Sequence, residues 1–326
     1  MTKKNLATIF IILMIFGWSS IYYLGYDNLS YARDFASLNL MKPFVYRQLP
    51  MVLARLLELI GVRIDLGIVL VMTSAGVGFY YALRELAFLF YKQNDKIEIA
   101  IIALVCIGLI LFGDYRKPYD LFTAWLFTLA FLYLAQARYG EFVIVFALAC
   151  LNRETAFLLI VFTAVIMVLR GTKEDTIRML FIQSSIFGII QIQLHFMFRD
   201  NAGSSALIEP IKNMAEFVVH PFITMLHLSI LALVLWVACK DWIYKPRFLR
   251  LALITLSPPL MLMYLVFGQA FEVRVFWEVY PIIVVLSLPS VVQSFTWIHS
   301  LFLTIRVRQA RTSKPLSPTD GPVQNK

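Results

Sequence analysis

The chain has 326 residues, of which 60% are hydrophobic and only 15% charged, and its mean hydropathy is +0.77. Soluble domains carry about a quarter charged residues, so this composition excludes an ordinary soluble globule and predicts an all-α polytopic membrane protein. In such a chain a net charge of +9 reports basic cytoplasmic loops and does not point to nucleic acid.

Asn5 to Leu24 is the first apolar run, flanked by Lys3 and Lys4 and closed by Trp18, Tyr22 and Tyr23. It lacks a small-x-small cleavage site and reads as an uncleaved signal-anchor. Tyr26 to Leu57 is too polar for lipid yet rich in aromatics and Leu. Asp27, Tyr31 and Asp34 are spaced i, i+4, i+7, which places them on one face of a surface helix. Pro43 and Pro50 break any continuous helix here, and Pro50 suits the first turn of a second surface helix reaching Ile60 and stopped at Gly61.

Further spans are predicted over Leu66–Leu83, Ile99–Phe112 and Leu121–Ala135. Phe142 to Leu169 is longer than the roughly 20 residues that cross a bilayer and is interrupted by LNRET, so two short spans meeting at Asn152, Arg153 and Glu154 are predicted. RGTKEDTIR reads as a cytoplasmic loop. Met179–Phe198 then leads to a polar loop from Arg199 to His220, with a short surface helix over 211–218. The last spans are Phe222–Val237, Leu251–Phe267 and Val275–Val292.

This makes about ten spans. The organisation is a single transmembrane domain over 1–305, with a first outer loop at 25–65, and a basic, disordered cytoplasmic tail over 306–326. Most Lys and Arg residues fall on the side of the N-terminus, which the positive-inside rule makes cytoplasmic. Both termini then lie inside a cell (inner) membrane. The outer side gathers Asp27, Asp34, Arg47, Asp114, Arg116, Lys117, Asp120, Arg153, Glu154, Glu272, Arg274 and Glu278. Charges at span ends are costly unless they meet a watery cavity or one another. Mutual pairing that locks helix ends explains any single one. As a set on one side, they point to an outward-open polar site.

The usual catalytic motifs are absent: no GxSxG, no HExxH and no Gly-rich phosphate loop. Cys106, Cys150 and Cys239 sit in apolar runs without metal-like spacing. His195, His220, His227 and His299 read as interfacial or hydrogen-bonded side chains. The remaining chemistry is carboxylates with Arg and Lys. A carboxylate serves as general base on a hydroxyl or holds a divalent ion, and Arg binds phosphate in a bidentate fork.

At this point the chain resembles the GT-C-fold glycosyltransferases, multi-span enzymes that take a sugar from a polyprenyl-phosphate donor, in the manner of mannosyltransferases. Their first outer loop carries an acidic residue in a pattern like D-x-x-x-Y followed by P-F/Y-x-Y-x-x-L-P, and GYDNLSYARDF with KPFVYRQLP is similar. LNRET stands where many members read R-P, and FEVRVFWEVYP matches a late E-x-R pattern ending in Pro281. Asp-Asn at 27–28 replaces the common Asp-Glu pair, and no large soluble outer domain is present.

The resemblance implies glycosyl transfer from a lipid-linked sugar on the periplasmic face of the cell envelope. Asp27 would be the catalytic base or the carboxylate that organises a divalent metal, with Asp34 assisting. Arg153 and Arg274, beside Glu154 and Glu272, would bind the donor phosphate. Arg116 or Lys117 would rim the entrance, Arg47 and Asp120 would also bind substrate, and Tyr31 and Tyr46 would stack on or hydrogen-bond the sugar unless they serve as interfacial anchors. The implied partners are the lipid-linked donor and the bilayer. The alternatives are a secondary transporter or flippase for an anionic lipid or solute, and an assembly subunit whose outer charges bind a partner. Against transport stand the lack of an inverted repeat and of paired broken spans.

Overall fold

The computed structural model describes residues 3–23, 34, 37–111, 117–170, 173–203, 218–267 and 273–294. Among these residues it is all-helical. Eleven helices can be followed: α1 (Lys3–Tyr23), α2 (Leu49–Glu58), α3 (Ile64–Phe90), α4 (Asp95–Leu111), α5 (Pro118–Ala135), α6 (Tyr139–Asn152), α7 (Phe157–Arg170), α8 (Lys173–Met197), α9 (Pro221–Cys239), α10 (Arg247–Phe267) and α11 (Tyr280–Ser294). Short 3₁₀ turns lie at Phe44–Tyr46, Glu154–Ala156, Trp242–Tyr244 and Val273–Glu278.

By length and composition α3, α8, α9 and α10 are long and apolar enough to cross a membrane, and Thr8–Ser20, Tyr119–Ala135, α6 and α11 are shorter apolar helices. This is compatible with a membrane protein. The predicted break in the Phe142–Leu169 run is present. Arg153 is extended (φ −161°, ψ 141°) and Glu154–Ala156 forms a single 3₁₀ turn between α6 and α7.

Two boundaries differ from the prediction. α3 runs seven residues past Leu83, because Arg84 on its side pairs with Glu98 of α4 at 3.2 Å and so keeps the charged turn helical. α8 takes in most of the predicted RGTKEDTIR loop. Glu174 and Asp175 occupy its first turn, where carboxylates favour helix N-termini. Hydropathy alone does not register such polar ends. The predicted surface helix at 211–218, all but its last residue, lies outside the described residues, as does the tail.

α3 is the hub, and its glycines set how closely its neighbours approach. A Cβ at Gly67 would lie 3.3 Å from the Ala54 carbonyl of α2, one at Gly76 2.6 Å from Ile15 Cγ2 of α1, and one at Gly78 2.5 Å from the Trp125 ring of α5. Where lipid is as apolar as Leu, small residues that let helices pack closely supply much of the association. Phe90, Phe248, Phe162 and Phe131 then form a ring chain, with centroid spacings of 5.9, 5.3 and 5.6 Å, that ties α3, α10, α7 and α5 together.

Ion pairs and loop contacts between elements gather at two ends, with Gln183 reaching Thr163 between α8 and α7 in mid-bundle at 3.4 Å. At one end Arg84 meets Glu98, Arg170 donates to the Leu134 carbonyl at 2.9 Å, and Lys240 meets Gln293. At the other, the 37–47 segment is fastened to the loop after α8. Asn201 Nδ2 donates to the carbonyls of Leu38 (2.7 Å) and Leu40 (3.0 Å), and the Lys42 N–H donates to Ala202 O at 2.8 Å. Gly203 beside them has φ +93°, and a Cβ there would meet Lys42 O at 2.8 Å, so no other residue fits without strain. Asn201→Ala removes both donors and leaves two carbonyls with one fewer partner. Its thermal unfolding in detergent should show a loss of about 1–2 kcal/mol.

Candidate active site

The second end holds Arg47, Asp120, Arg153, Glu154 and Glu278, five of the charged residues that the sequence places outside. Arg47, just after the Phe44–Tyr46 turn, is 6% exposed. Its Nη2 donates to Glu154 Oε1 at 2.6 Å and its Nε to Oε2 at 3.3 Å, a two-pronged contact. The same guanidinium lies 4.5 Å from the centroid of the Tyr119 ring and 5.4 Å from that of Phe44. One side chain therefore joins the first loop, the start of α5 and the α6–α7 break. Arg47→Lys keeps the charge but loses the fork and the stacking, so it should lower the melting temperature nearly as far as Arg47→Ala.

Behind this pair lies a second one. Arg153 Nη1 is 3.1 Å from Glu278 Oε1, with the side chains 5% and 0% exposed. Thr155 Oγ1 donates to the same Glu278 oxygen at 2.6 Å. Asn152, at the end of α6, donates to the Tyr119 carbonyl at 3.1 Å and to Thr123 Oγ1 at 2.9 Å, which locks α6 onto α5. The Asp120 carboxylate accepts from the Lys117 backbone N–H at 3.0 Å, closing the first turn of α5, and its charge reaches Glu278. Arg153 Nε, Glu278 Oε2 and Asn152 Oδ1 are buried with no hydrogen-bond partner among the described residues. Buried polar groups are normally satisfied, so this cluster retains capacity for water or a ligand.

The two carboxyls differ electrostatically. Burial alone would raise Glu154, but the Arg47 charge and its hydrogen bonds, with Arg153 adding to them, outweigh it and hold the group at about 2, below the ordinary 4.5. Burial pushes Glu278 up, against the pull of Arg153 and Thr155. Because the folded value of Glu154 is depressed, its contribution to stability is complete above pH 4.5 and is lost as pH falls toward about 2. Melting curves of wild type and Glu154→Gln should therefore be separated above that pH and converge in acid.

Of the predicted site residues, Arg47, Asp120, Arg153 and Glu154 come together. Tyr46 is adjacent but buried, with its ring stacked 4.3 Å from that of His195. Lys117 caps α5 through its backbone. Asp34 is exposed, and its backbone carbonyl accepts from the Asn39 N–H and the Ser37 hydroxyl. Asp27, Tyr31, Arg116 and Glu272 lie outside the described residues, as does the Arg274 side chain. Glu278, Thr155, Asn152 and Tyr119 join the site from positions not singled out as site residues. Glu278 carried a signal, a lone carboxylate in VFWEVYP at a span end. Thr155 and Tyr119 carried none. Among the described residues no three His, Cys, Asp or Glu side chains stand close enough to hold a metal ion.

No family model, curated protein or solved structure matches this chain.

Proposed function

We propose that the protein is a membrane glycosyltransferase that moves a sugar from a polyprenyl-phosphate-linked donor to an acceptor on the outer face of the cell membrane. The observation that carries this reading is the convergence of Arg47, Arg153, Glu154, Glu278 and Asp120 at one end of the bundle, where the 37–47 segment meets the α6–α7 break. In this reading α1 and α3 to α11 are the ten spans, the cluster end is extracytoplasmic, and both termini are cytoplasmic. α2 lies along the outer surface, as its apolar Val52 and Leu56, with Leu59 and Ile60 just past its end, all exposed, favour.

Arg47 and Arg153 are each neutralised by a glutamate. They therefore act first to hold the broken α6–α7 corner and the 37–47 loop in register, and Arg153 meets donor phosphate through the Nε that has no hydrogen-bond partner among the described residues. Glu278, whose carboxyl burial pushes up against the pull of Arg153 and Thr155, can exchange a proton with a reacting hydroxyl. Asp27 remains the carboxylate proposed as base, with Asp34 second and a divalent ion as an option for either.

The test is turnover by the purified protein supplied with polyprenyl-phosphate sugars and candidate acceptors. Asp27→Asn with Asp34→Asn should abolish transfer, and undiminished transfer by that double variant would sink the assignment. Uptake or efflux by the reconstituted protein without chemical change to the solute would favour the transporter instead. The grouping of Arg47, Arg153, Glu154, Glu278 and Asp120 at one end supports the enzyme.

A further inference from the structure

The link between α9 and α10 is strongly basic. Cys239 to Arg250 reads CKDWIYKPRFLR, with four cations and one carboxylate. The two helices it joins are both long and apolar enough to cross a membrane, so the link sits at a bilayer face. The Trp242–Tyr244 turn projects outward, with Ile243 80% and Tyr244 88% exposed. The link does not flop. Lys245, 5% exposed, donates from Nζ to the Leu286 carbonyl of α11 at 2.6 Å, and Lys240 Nζ donates to Gln293 Oε1 at 3.2 Å. Lys245 is thus an internal brace that fixes where the turn points.

Among the described residues the remaining cations lack counter-charges. Arg247 and Arg250 occupy the first turn of α10, which has no acidic residue, so they add to the positive end of the helix dipole instead of cancelling it. No ion pair involves Lys240, Lys245, Arg247 or Arg250 among the described residues. Arg250 Nε is buried with no hydrogen-bond partner among the described residues, while its guanidinium lies 5.9 Å from the centroid of the Trp242 ring. Asp241, exposed, is the nearest carboxylate in sequence and makes no ion pair with them.

We infer that the α9–α10 link is a binding site for the headgroup of an anionic phospholipid. The phosphate would sit at the first turn of α10 between Arg247 and Arg250, Lys240 would add its charge from the side, and Ile243 and Tyr244 would insert among the upper acyl carbons. The pattern is the one an interface demands, with aromatics at headgroup depth and basic groups facing anionic lipid. Its standing is independent of the proposed enzymatic activity, because the link lies at the end of the bundle opposite the charged cluster.

The experiment uses the full chain in a mild non-ionic detergent, titrated with phosphatidylglycerol, phosphatidylcholine or inorganic phosphate, with lipid adducts counted by native mass spectrometry. Phosphatidylglycerol should be retained in preference to phosphatidylcholine by roughly tenfold or more, since each cation near a charged lipid contributes about five-fold. Arg247→Gln with Arg250→Gln should erase most of that preference, and inorganic phosphate alone should neither compete nor bind. Equal retention of the two lipids by wild type would overturn the site, as would an unchanged preference in the double variant. Should that variant fold poorly, wild-type Trp fluorescence gives a second reading. Brominated phosphatidylglycerol should quench it more strongly than brominated phosphatidylcholine at equal concentration, and equal quenching would overturn the site.

Discussion

Glu278→Ala is expected to destabilise the protein by about 3–5 kcal/mol, the largest effect of any single substitution considered. The Glu278 side chain is 0% exposed and faces an Arg153 that is itself 5% exposed, so removing the carboxylate strands a guanidinium away from water. Thr155 loses its acceptor at the same time. The ion pair is not thereby a strong source of stability, because both charges were desolvated to make it. Arg153→Met combined with Glu278→Leu should recover most of the loss, and a double-mutant cycle on detergent melting curves measures the coupling. Comparable melting of Glu278→Ala and wild type would show that the pair is reached by water or satisfied by another group.

Gly108→Val is expected to cost about 3 kcal/mol, at the upper end of the overpacking range. A Cβ at position 108 of α4 would run into the Tyr280 ring and hydroxyl at the start of α11. Tyr280 has little room to yield. It is 7% exposed, its hydroxyl donates to the Leu104 carbonyl, and its ring lies 5.3 Å from Trp277 and 6.3 Å from Phe79. The collision therefore moves a helix and not merely a side chain, and Trp277, the sequence neighbour of the ion-paired Glu278, moves with it. Glycines at other packed contacts, such as Gly78 against the Trp125 ring, should respond less because Trp125 is only partly buried. Melting curves of Gly108→Ala and Gly108→Val order the effect, and a stable Gly108→Val would contradict the packing described here.

Much of the helical plan was legible because it rests on composition and period. The interruption of Phe142–Leu169 at LNRET could be read from two facts together: the run exceeds one bilayer crossing, and Asn, Arg and Glu are costly inside it. Pro50 placed in the first turn of α2, and Gly61, at φ +88°, marking its stop, are equally local signals. The polar ends of α3 and α8 were not legible from hydropathy, since they stay helical through an ion pair and acidic capping.

In the site, Arg153 and Glu154 were readable as an unusual neighbouring pair, but their partners were not. Adjacent residues in sequence turn to different carboxylates and cations, Arg153 to Glu278 and Glu154 to Arg47, across separations of more than a hundred residues. Only the extended backbone at Arg153, which turns successive side chains to opposite sides, makes that division. The Tyr119 ring beneath Arg47 likewise depends on how α5 meets the first loop.

The most direct measurement is sugar transfer by the Arg153→Met, Glu278→Leu double variant, in parallel with its melting curve. The variant replaces a buried ion pair with apolar groups, so it should fold with close to wild-type stability. If the cluster serves lipid-linked glycosyl transfer, turnover from a polyprenyl-phosphate sugar should fall by about a hundredfold or more while the melting temperature holds, as for groups that act in the transition state. A double variant that melts like wild type and turns over like wild type would make the cluster a structural clasp and contradict the proposed site.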